Sequence, residues 1–162
     1  MRVRDCMTTD LVTCHPEDSD AHAAQLMWER DCGVLPVLDD GDRVVGMVTD
    51  RDICMGAYTK GETFSTLRVR DAMASDVHHC RPTDTLEDAL NVMARHQVRR
   101  IPVVDDDQHL VGLLSMNDVA LAIDQMRDRA EKDYMTSAAL ETLAAICTPR
   151  HASGPRQLSV SA

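Results

Sequence analysis

Aromatic side chains are scarce in this sequence of 162 residues, which has one tryptophan, one phenylalanine and two tyrosines. Proteins that hold single-stranded nucleic acid stack its bases on aromatic side chains, and this chain offers few such platforms. Acidic residues also outnumber basic ones, which gives a formal net charge of −10 at pH 7. Because neutralising phosphates needs a basic surface, we expect no nucleic-acid partner.

Long apolar runs are missing as well. No stretch approaches the roughly 18 residues needed to span a bilayer, and the opening MRVRDCMTTD lacks the apolar segment of a secretory signal. Hydrophobic residues still form 44% of the chain, which is enough for a packed core. These features predict a globular, cytoplasmic protein without a membrane partner.

Signatures of catalysis are the third absence. The sequence contains no glycine-rich phosphate loop, no His-Glu-x-x-His motif and no recognisable spacing of nucleophile, base and acid. We therefore predict that the protein is not an enzyme and requires no cofactor.

The six cysteines include no Cys-x-x-Cys pair, and without a secretory signal we expect no disulfide framework. Cys32 and Cys54 adjoin apolar stretches, so we expect both to be small buried side chains. Other cysteines have histidine neighbours, a combination that suits zinc. Neither cluster has the spacing of a four-ligand site, so a metal would need ligands from distant segments or two subunits. The candidates are Cys14, His15, His78, His79 and Cys80.

An internal repeat organises the sequence. A shift of 66 residues aligns residues 3–53 with residues 69–119 without a gap, and 17 of the 51 aligned positions are identical. Self-similarity at a fixed period indicates two copies of one structural unit. Because one such unit buries little apolar surface alone, we expect the two to pack together about an approximate two-fold axis.

Each copy predicts a short leading segment, a helix, two strands and a second helix. In TLEDALNVMARHQ, apolar residues recur at helical spacing from Leu86 to Met93. The runs VLPVLDDGDRVVGMV and RIPVVDDDQHLVGLL predict hairpins, and the proline in each favours an edge strand. We expect the second helices to begin at Arg51 and Asn117. The predicted fold class is thus α/β (α+β).

The predicted boundaries follow from the repeat. Repeat 1 covers residues 1–57, a polar linker covers 58–68, and repeat 2 covers 69–123. A C-terminal helical extension covers 124–147, within a helical pattern that starts near residue 119 and is interrupted near Met135-Thr136. The final segment, 148–162, is rich in proline, serine and glycine, and we expect it to be disordered.

A polar corner occurs once in each copy. Thr49 precedes Asp52 by three residues in GMVTDRDI, and Ser115 precedes Asp118 in GLLSMNDV. This spacing predicts a capping box, in which hydroxyl and carboxylate satisfy backbone N–H groups at the start of a helix. The same geometry suits a ligand, since a helix N-terminus attracts phosphate and an aspartate accepts hydrogen bonds from ribose hydroxyls. The two roles are compatible in one residue.

Three pairs of motifs together resemble those of the tandem CBS-domain proteins, or Bateman modules. They are the two V-R-D-x-M openings, the strands L-P-V and I-P-V, and the corners G-M-V-T-D-R-D and G-L-L-S-M-N-D. The resemblance covers residues 1–123 and is to the small stand-alone kind. It implies β-α-β-β-α repeats, adenosine-containing ligands in clefts between repeats, and a homodimer. It therefore predicts a regulatory, ligand-sensing module that acts by a conformational shift, with AMP, ADP, ATP, S-adenosylmethionine or NAD as candidate ligands.

The resemblance also implies which residues meet the ligand. The corner aspartate takes the ribose, the corner threonine or serine lies near ribose or phosphate, and two further segments of each repeat surround the base. Arginines stand just before the first strand of the second repeat, where they could pair with phosphate. If one site alone is occupied, we favour that one, although Arg51 follows the first corner and could supply charge across the pseudo-two-fold axis. The implied residues are Leu11, Val12, Thr13, Val34, Leu35, Pro36, Thr49, Arg51, Asp52, Val77, His78, His79, Arg99, Arg100, Ile101, Pro102, Ser115, Asn117 and Asp118.

The ending LAAICTP is similar to stand-alone CBS pairs of the hypoxic or dormancy response. That similarity implies a role in stress and a disulfide between Cys14 and Cys147, within a chain or across a dimer. The alternative to ligand sensing is a stress-associated, dimeric interaction protein whose clefts stay empty and which cysteine or metal contacts stabilise.

Overall fold

The computed structural model describes residues 1–149. These residues form two compact units: one contains Val12–Val77, and the other combines Met1–Leu11 with His78–Thr148. They are named the 12–77 unit and the 78–148 unit below. None of the helices within residues 1–149 has the length and apolar character of a segment that spans a membrane.

The 12–77 unit follows the order predicted for the first repeat. Its elements are α1 (Asp20–Glu29), β1 (Val34–Leu38), β2 (Val44–Thr49), α2 (Asp50–Lys60) and α3 (Val69–Ala72). β1 and β2 pair antiparallel, and Val34 lies opposite Thr49. The α2 helix extends into the predicted linker as far as Lys60 and is capped by Gly61, which adopts the left-handed conformation that glycine favours. The core of the unit includes Ala23, Met27, Leu35, Val37, Val48, Ile53 and Val69.

The 78–148 unit repeats this order and adds a helix. It contains a 3₁₀ turn (Val3–Asp5), α4 (Leu86–His96), β3 (Arg100–Val104), β4 (Leu110–Ser115), α5 (Met116–Gln125) and α6 (Arg129–Cys147). β3 and β4 pair antiparallel, with Arg100 opposite Ser115. Its core includes Val3, Leu86, Leu90, Met93, Ile101, Leu114 and Val119. Helices packed on a small antiparallel sheet in each unit confirm the mixed fold class and the C-terminal helix.

Each sheet is extended by the leading segment of the other repeat. Ala74 forms a bridge to Met47 in the 12–77 unit, and Thr8 forms the equivalent bridge to Leu113 in the 78–148 unit. The structure therefore combines residues 1–11 with the second repeat, an exchange that the repeat alone does not predict.

The first β position of each repeat is a single bridged residue rather than a strand. Cys14 bridges to Val37, its N–H donates to the Pro36 carbonyl, and its own carbonyl accepts from the Leu38 N–H. Pro36 has no N–H with which to continue a ladder, so pairing on this edge stays short. Cys80 makes the same contacts with β3.

The predicted helix interruption near Met135-Thr136 is wrong. The break lies between α5 and α6, where Met126 takes an extended conformation and Asp128 caps α6 by accepting from the Glu131 N–H at 2.8 Å. Met135 lies inside α6 and is buried in the core of the 78–148 unit. The second helices begin one residue before the predicted starts, at Asp50 and Met116. Of the predicted disordered tail, residues 150–162 lie outside the described residues.

Candidate ligand-binding site

The first polar corner lies where β2 passes into α2. Thr49 Oγ1 accepts a hydrogen bond from the Asp52 N–H at 3.1 Å, and Asp52 Oδ2 accepts from the Thr49 N–H at 3.0 Å and from the Thr49 hydroxyl at 2.7 Å. This is the predicted capping box. Among residues 1–149, no group donates to Asp52 Oδ1, so the lone pairs of this oxygen are not used within the described structure.

The second corner has the same box and one contact more. Asp118 Oδ2 accepts from the Ser115 N–H at 2.8 Å and from the Ser115 hydroxyl at 2.5 Å. In addition, the Thr8 hydroxyl donates to Asp118 Oδ1 at 3.2 Å. The residue aligned with Thr8 in the repeat is Ala74, which has no hydroxyl. Sequence reasoning missed Thr8, although this mismatch at an otherwise repeated segment was the available signal.

The thiol of Cys6 also lies near the second corner. Burial raises the pKa of Cys6 to about 11, and the charges of Asp118 and Asp5 add to the rise. Cys6 therefore stays protonated at neutral pH, and its thiol bonds the backbone carbonyl of Val3 rather than acting as a nucleophile.

The first turns of the two helices differ in their free N–H groups. In α2, the Arg51 N–H donates to Asp50 Oδ1 at 2.7 Å. In α5, the Met116 N–H donates to the Arg99 carbonyl at 3.0 Å, while the Asn117 N–H has no acceptor among the described residues. The second corner thus presents an N–H that the first has already bonded to a carboxylate.

A glycine in each second strand allows the leading segment to approach. A Cβ added to Gly46 would lie 2.5 Å from Met73 Sδ, and one added to Gly112 would lie 2.6 Å from Met7 Sδ. Both contacts are closer than carbon and sulfur tolerate. The glycine of each corner motif and the methionine of each V-R-D-x-M opening are therefore packing partners, which carries Thr8 and Ala74 to the corners.

The side chains expected around the base are mostly core residues. Leu35 and Ile101 are each 0% exposed, so their side chains pack inside the units rather than face a ligand. Pro36 and Pro102 are buried beside them. Any contact of these four residues with a base would have to come from their backbone.

The predicted residues are divided between the two units. The 12–77 unit holds Val12, Thr13, Val34, Leu35, Pro36, Thr49, Arg51, Asp52 and Val77, and the 78–148 unit holds Leu11, His78, His79, Arg99, Arg100, Ile101, Pro102, Ser115, Asn117 and Asp118. Strand pairing brings Val34 to Thr49 and Arg100 to Ser115.

Two of the predicted side chains make contacts away from the corners. Arg99 Nη2 lies 3.9 Å from the sulfur of Cys147 at the end of α6. The ring of His78 stacks on His96, with 3.4 Å between ring centroids. Of the two arginines, Arg100 is thus the one that β3 holds next to the second corner.

The cysteines differ from their expected burial. Cys54 is exposed, against the prediction, because α2 turns it away from the core, whereas Cys14 and Cys80 are buried. Burial raises the pKa of Cys14 and of Cys80 to about 12, so both are neutral thiols at pH 7. Within residues 1–149, the side chains that could share a metal are Asp105, Asp107 and His109, with ligand atoms within 4.8 Å of one another. All three lie in the β3–β4 turn, where Asp107 and His109 are exposed and Asp105 is half-buried, and they differ from the predicted set.

Comparison with known proteins identifies the repeat. Residues 3–56 and 69–125 each match the CBS domain family. This chain belongs to the CBS-domain family. The match confirms the family resemblance and the presence of two repeats.

Several relatives have a similar length. YhcV, a CBS domain-containing protein of Bacillus subtilis, is 36% identical over 135 residues, which are 83% of this chain and 93% of YhcV. Hypoxic response protein 1 of Mycobacterium tuberculosis is 31% identical over 146 residues, which are 90% of this chain and 94% of that protein. This chain thus matches nearly the whole length of both relatives.

Solved structures support the same fold. The crystal structure of Hypoxic Response Protein I with two coordinated zinc ions is 33% identical, with a TM-score of 0.68 over 75% of this chain and 98% of that one. The crystal structure of CBSX2 in complex with AMP is 28% identical, with a TM-score of 0.69 over 78% of this chain and 99% of that one.

Proposed function

We propose that this CBS pair is a non-catalytic cytoplasmic sensor that binds an adenine nucleotide or a related adenosyl compound. Asp52 and Asp118 accept the ribose hydroxyls, and binding shifts the population between conformations of the chain. The observation that carries the proposal is the free oxygen Oδ1 of Asp52, half-buried beside a helix N-terminus. The AMP complex of CBSX2, which shares the fold and 28% of the sequence, supports the choice of ligand class.

The remaining contacts of the proposed site follow from the geometry of each corner. Thr49 and Ser115 orient each aspartate through the capping box. Arg100 and the Asn117 N–H lie where a phosphate would be favourable. The segments around Val12 and His78 and the strands β1 and β3 would contribute backbone groups to the base, because their apolar side chains are largely buried.

A second candidate function is a stress-associated interaction protein that acts as a homodimer without a ligand. The exposed aromatic side chains of the 12–77 unit favour it: Trp28 is 88% exposed and Tyr58 is 70% exposed. The similarity to hypoxic response protein 1 supports a stress role. Zinc or a Cys14–Cys147 disulfide would stabilise such a dimer, but Cys14 is 1% exposed and would first have to be uncovered.

A thermal-shift screen with AMP, ADP, ATP, S-adenosylmethionine and NAD tests the sensor. A ligand at about 100 times its dissociation constant stabilises the native state by about 2.7 kcal/mol, so the midpoint should rise by several degrees. Asp52→Ala and Asp118→Ala each should reduce the shift, and the double variant should abolish it.

The matched control is Asp88→Ala. Asp88 forms a capping box with Thr85 at the start of α4, with distances close to those of the two corners, but it is not in the proposed site. This variant should lower the midpoint as the corner variants do, yet respond to ligand like the wild type. Absence of any shift in the wild type would leave the ligand-free interaction protein as the function. Equal shifts in all variants would mean that the ligand binds without the two corner aspartates, and would contradict the proposed site.

A further inference from the structure

The two corners differ in charge at the position where a phosphate would lie. The first residue of α2 is Asp50, and the residue aligned with it in α5 is Met116. Asp50 is exposed, and its Oδ1 accepts a hydrogen bond from the Arg51 N–H at 2.7 Å. A carboxylate therefore already holds the N–H group that an anion would use in the first corner.

The neighbouring strand strengthens this difference. Gly33 leaves room for the Asp50 side chain, since a Cβ there would lie 3.2 Å from Asp50 Oδ2. The residue aligned with Gly33 is Arg99, and the next position changes from Val34 to Arg100. The strand beside the first corner is thus uncharged, and the cation of that corner, Arg51, directly follows Asp50 on α2. The strand beside the second corner instead begins with Arg100, opposite Ser115.

The two aspartates also differ in their capacity to accept hydrogen bonds. Each oxygen of an ionised carboxylate has two lone pairs. Asp52 Oδ1 keeps both, so it can take the two neighbouring hydroxyls of a ribose. One lone pair of Asp118 Oδ1 already accepts a hydrogen bond from the Thr8 hydroxyl at 3.2 Å. This oxygen can therefore accept from one ribose hydroxyl, unless the Thr8 side chain turns away.

From these contrasts we infer that the corners select different members of one ligand class. The Thr49–Asp52 corner takes phosphate-free adenosyl compounds through their ribose diol, and the Ser115–Asp118 corner takes phosphorylated adenine nucleotides. The inference rests on the proposed function, which it makes specific for each corner. A protein of this kind responds to the ratio of nucleoside-type to nucleotide-type metabolites rather than to one of them.

Isothermal titration of the full chain with adenosine and with AMP tests the inference. Adenosine binding should be lost in Asp52→Asn and kept in Asp118→Asn, and AMP binding should show the reverse. The charge swap is the sharper test: Asp50→Met should create AMP binding at the first corner, with a gain of at least about tenfold in affinity that Asp52→Asn removes. Met116→Asp should weaken AMP binding at the second corner by about the same factor, with adenosine binding unchanged in both variants.

Matched variants keep the result interpretable. Asp40→Asn removes one charge from an exposed residue of the same unit and should leave both titrations as in the wild type. Thr8→Ala places at the second corner the alanine that the first corner has at the aligned position. It should raise AMP affinity there about three- to tenfold, because the lone pair of Asp118 that bonds the Thr8 hydroxyl becomes available. Asp50→Asn replaces Asp50→Met if the latter fails to fold.

Three outcomes would contradict the inference. If Asp50→Met changes adenosine and AMP affinity equally, or if both ligands depend on the same aspartate, the corners are not selective, although the proposed sensor stands. If neither compound binds the wild type, the adenine-ligand proposal itself fails, and the selectivity fails with it.

Discussion

At the scale of single residues, Asp20 is a carboxylate buried without hydrogen bonds in the described part of the chain. It is 0% exposed, and among residues 1–149 neither of its carboxylate oxygens accepts a hydrogen bond. Burial raises the pKa of Asp20, the charge of Asp71 raises it further, and Lys60 partly offsets both. The aligned residue in the second repeat is Leu86, a core residue that is 1% exposed. One repeat therefore holds a carboxylate where the other holds leucine.

We predict that Asp20→Asn stabilises the protein at neutral pH. A raised pKa in the folded state means that folding favours the protonated form, so stability falls as pH rises from the ordinary aspartate pKa through the folded one. Removing the charge should gain about 1 kcal/mol at pH 7, because the desolvation cost outweighs the favourable position in the first turn of α1. Near pH 3, where both proteins are neutral at this position, the difference should vanish.

Urea denaturation followed by circular dichroism across this pH range measures the effect. The control is Asp40→Asn, which removes an exposed carboxylate from the same unit and should show no pH-dependent difference. A gain for Asp20→Asn that is the same at every pH would mean that packing, not charge burial, is responsible.

At the scale of elements, α6 distinguishes the second repeat from the first. It packs against α4 and α5 and buries Met135 in the core of the 78–148 unit. Gln97 Nε2 donates to the carbonyls of Ala145 at 2.9 Å and of Thr148 at 3.0 Å, and so helps to satisfy the carbonyl groups at the C-terminal end of α6. The helix is therefore a structural part of this unit.

We predict that Met135→Ala destabilises the protein by about 2 to 4 kcal/mol, because it leaves a cavity between α6 and the core. Leu140→Ala, five residues along the same helix, removes a side chain that is 66% exposed and should cost less than about 0.5 kcal/mol. The denaturation midpoints of the two variants in urea test this contrast. Equal midpoints would mean that α6 is not docked in solution.

At the scale of the whole molecule, the two units differ in one helix face. In the 78–148 unit α6 packs against α4, whereas the equivalent face of α1 in the 12–77 unit is exposed. Trp28 of α1 aligns with Ala94 of α4. Ala94 lines a groove of about 260 Å³ between α4 and α6, with Leu90 and Tyr134. Trp28 lines a groove of about 390 Å³ with Met27, Ile53 and Phe64, and no helix of the 12–77 unit covers it. An exposed apolar patch of this kind indicates a contact surface.

We predict that the protein is a homodimer and that this face takes part in the contact. Trp28→Glu should weaken dimerisation at least about tenfold, because it places a charge in a desolvated contact. Sedimentation equilibrium measures the change, and Leu121→Glu is the control, since it adds the same charge to an exposed position of the 78–148 unit. A wild-type monomer, or a Trp28→Glu dimer of unchanged stability, would contradict the prediction.

Local patterns in the sequence determined much of this protein. The hydroxyl-to-aspartate spacing is sufficient for both capping boxes, because the groups that bond are three residues apart. The repeat predicted two units of similar element order, since equal apolar spacing gives equal helices and strands. The helix break at residues 126–128 was missed because the apolar pattern continues through it without a change. The break depends on Asp128, whose side chain caps the start of α6.

Only the tertiary structure decided the contacts between residues that are far apart in sequence. The Thr8–Asp118 hydrogen bond joins residues 110 positions apart, and it exists because the leading segment of one repeat extends the sheet of the other. The burial of Cys14, Cys80 and Asp20 likewise depends on which segments cover them. Sequence spacing fixes what the backbone of one segment can do, but the inequality of the two corners arises from neighbours that the chain brings together only by folding.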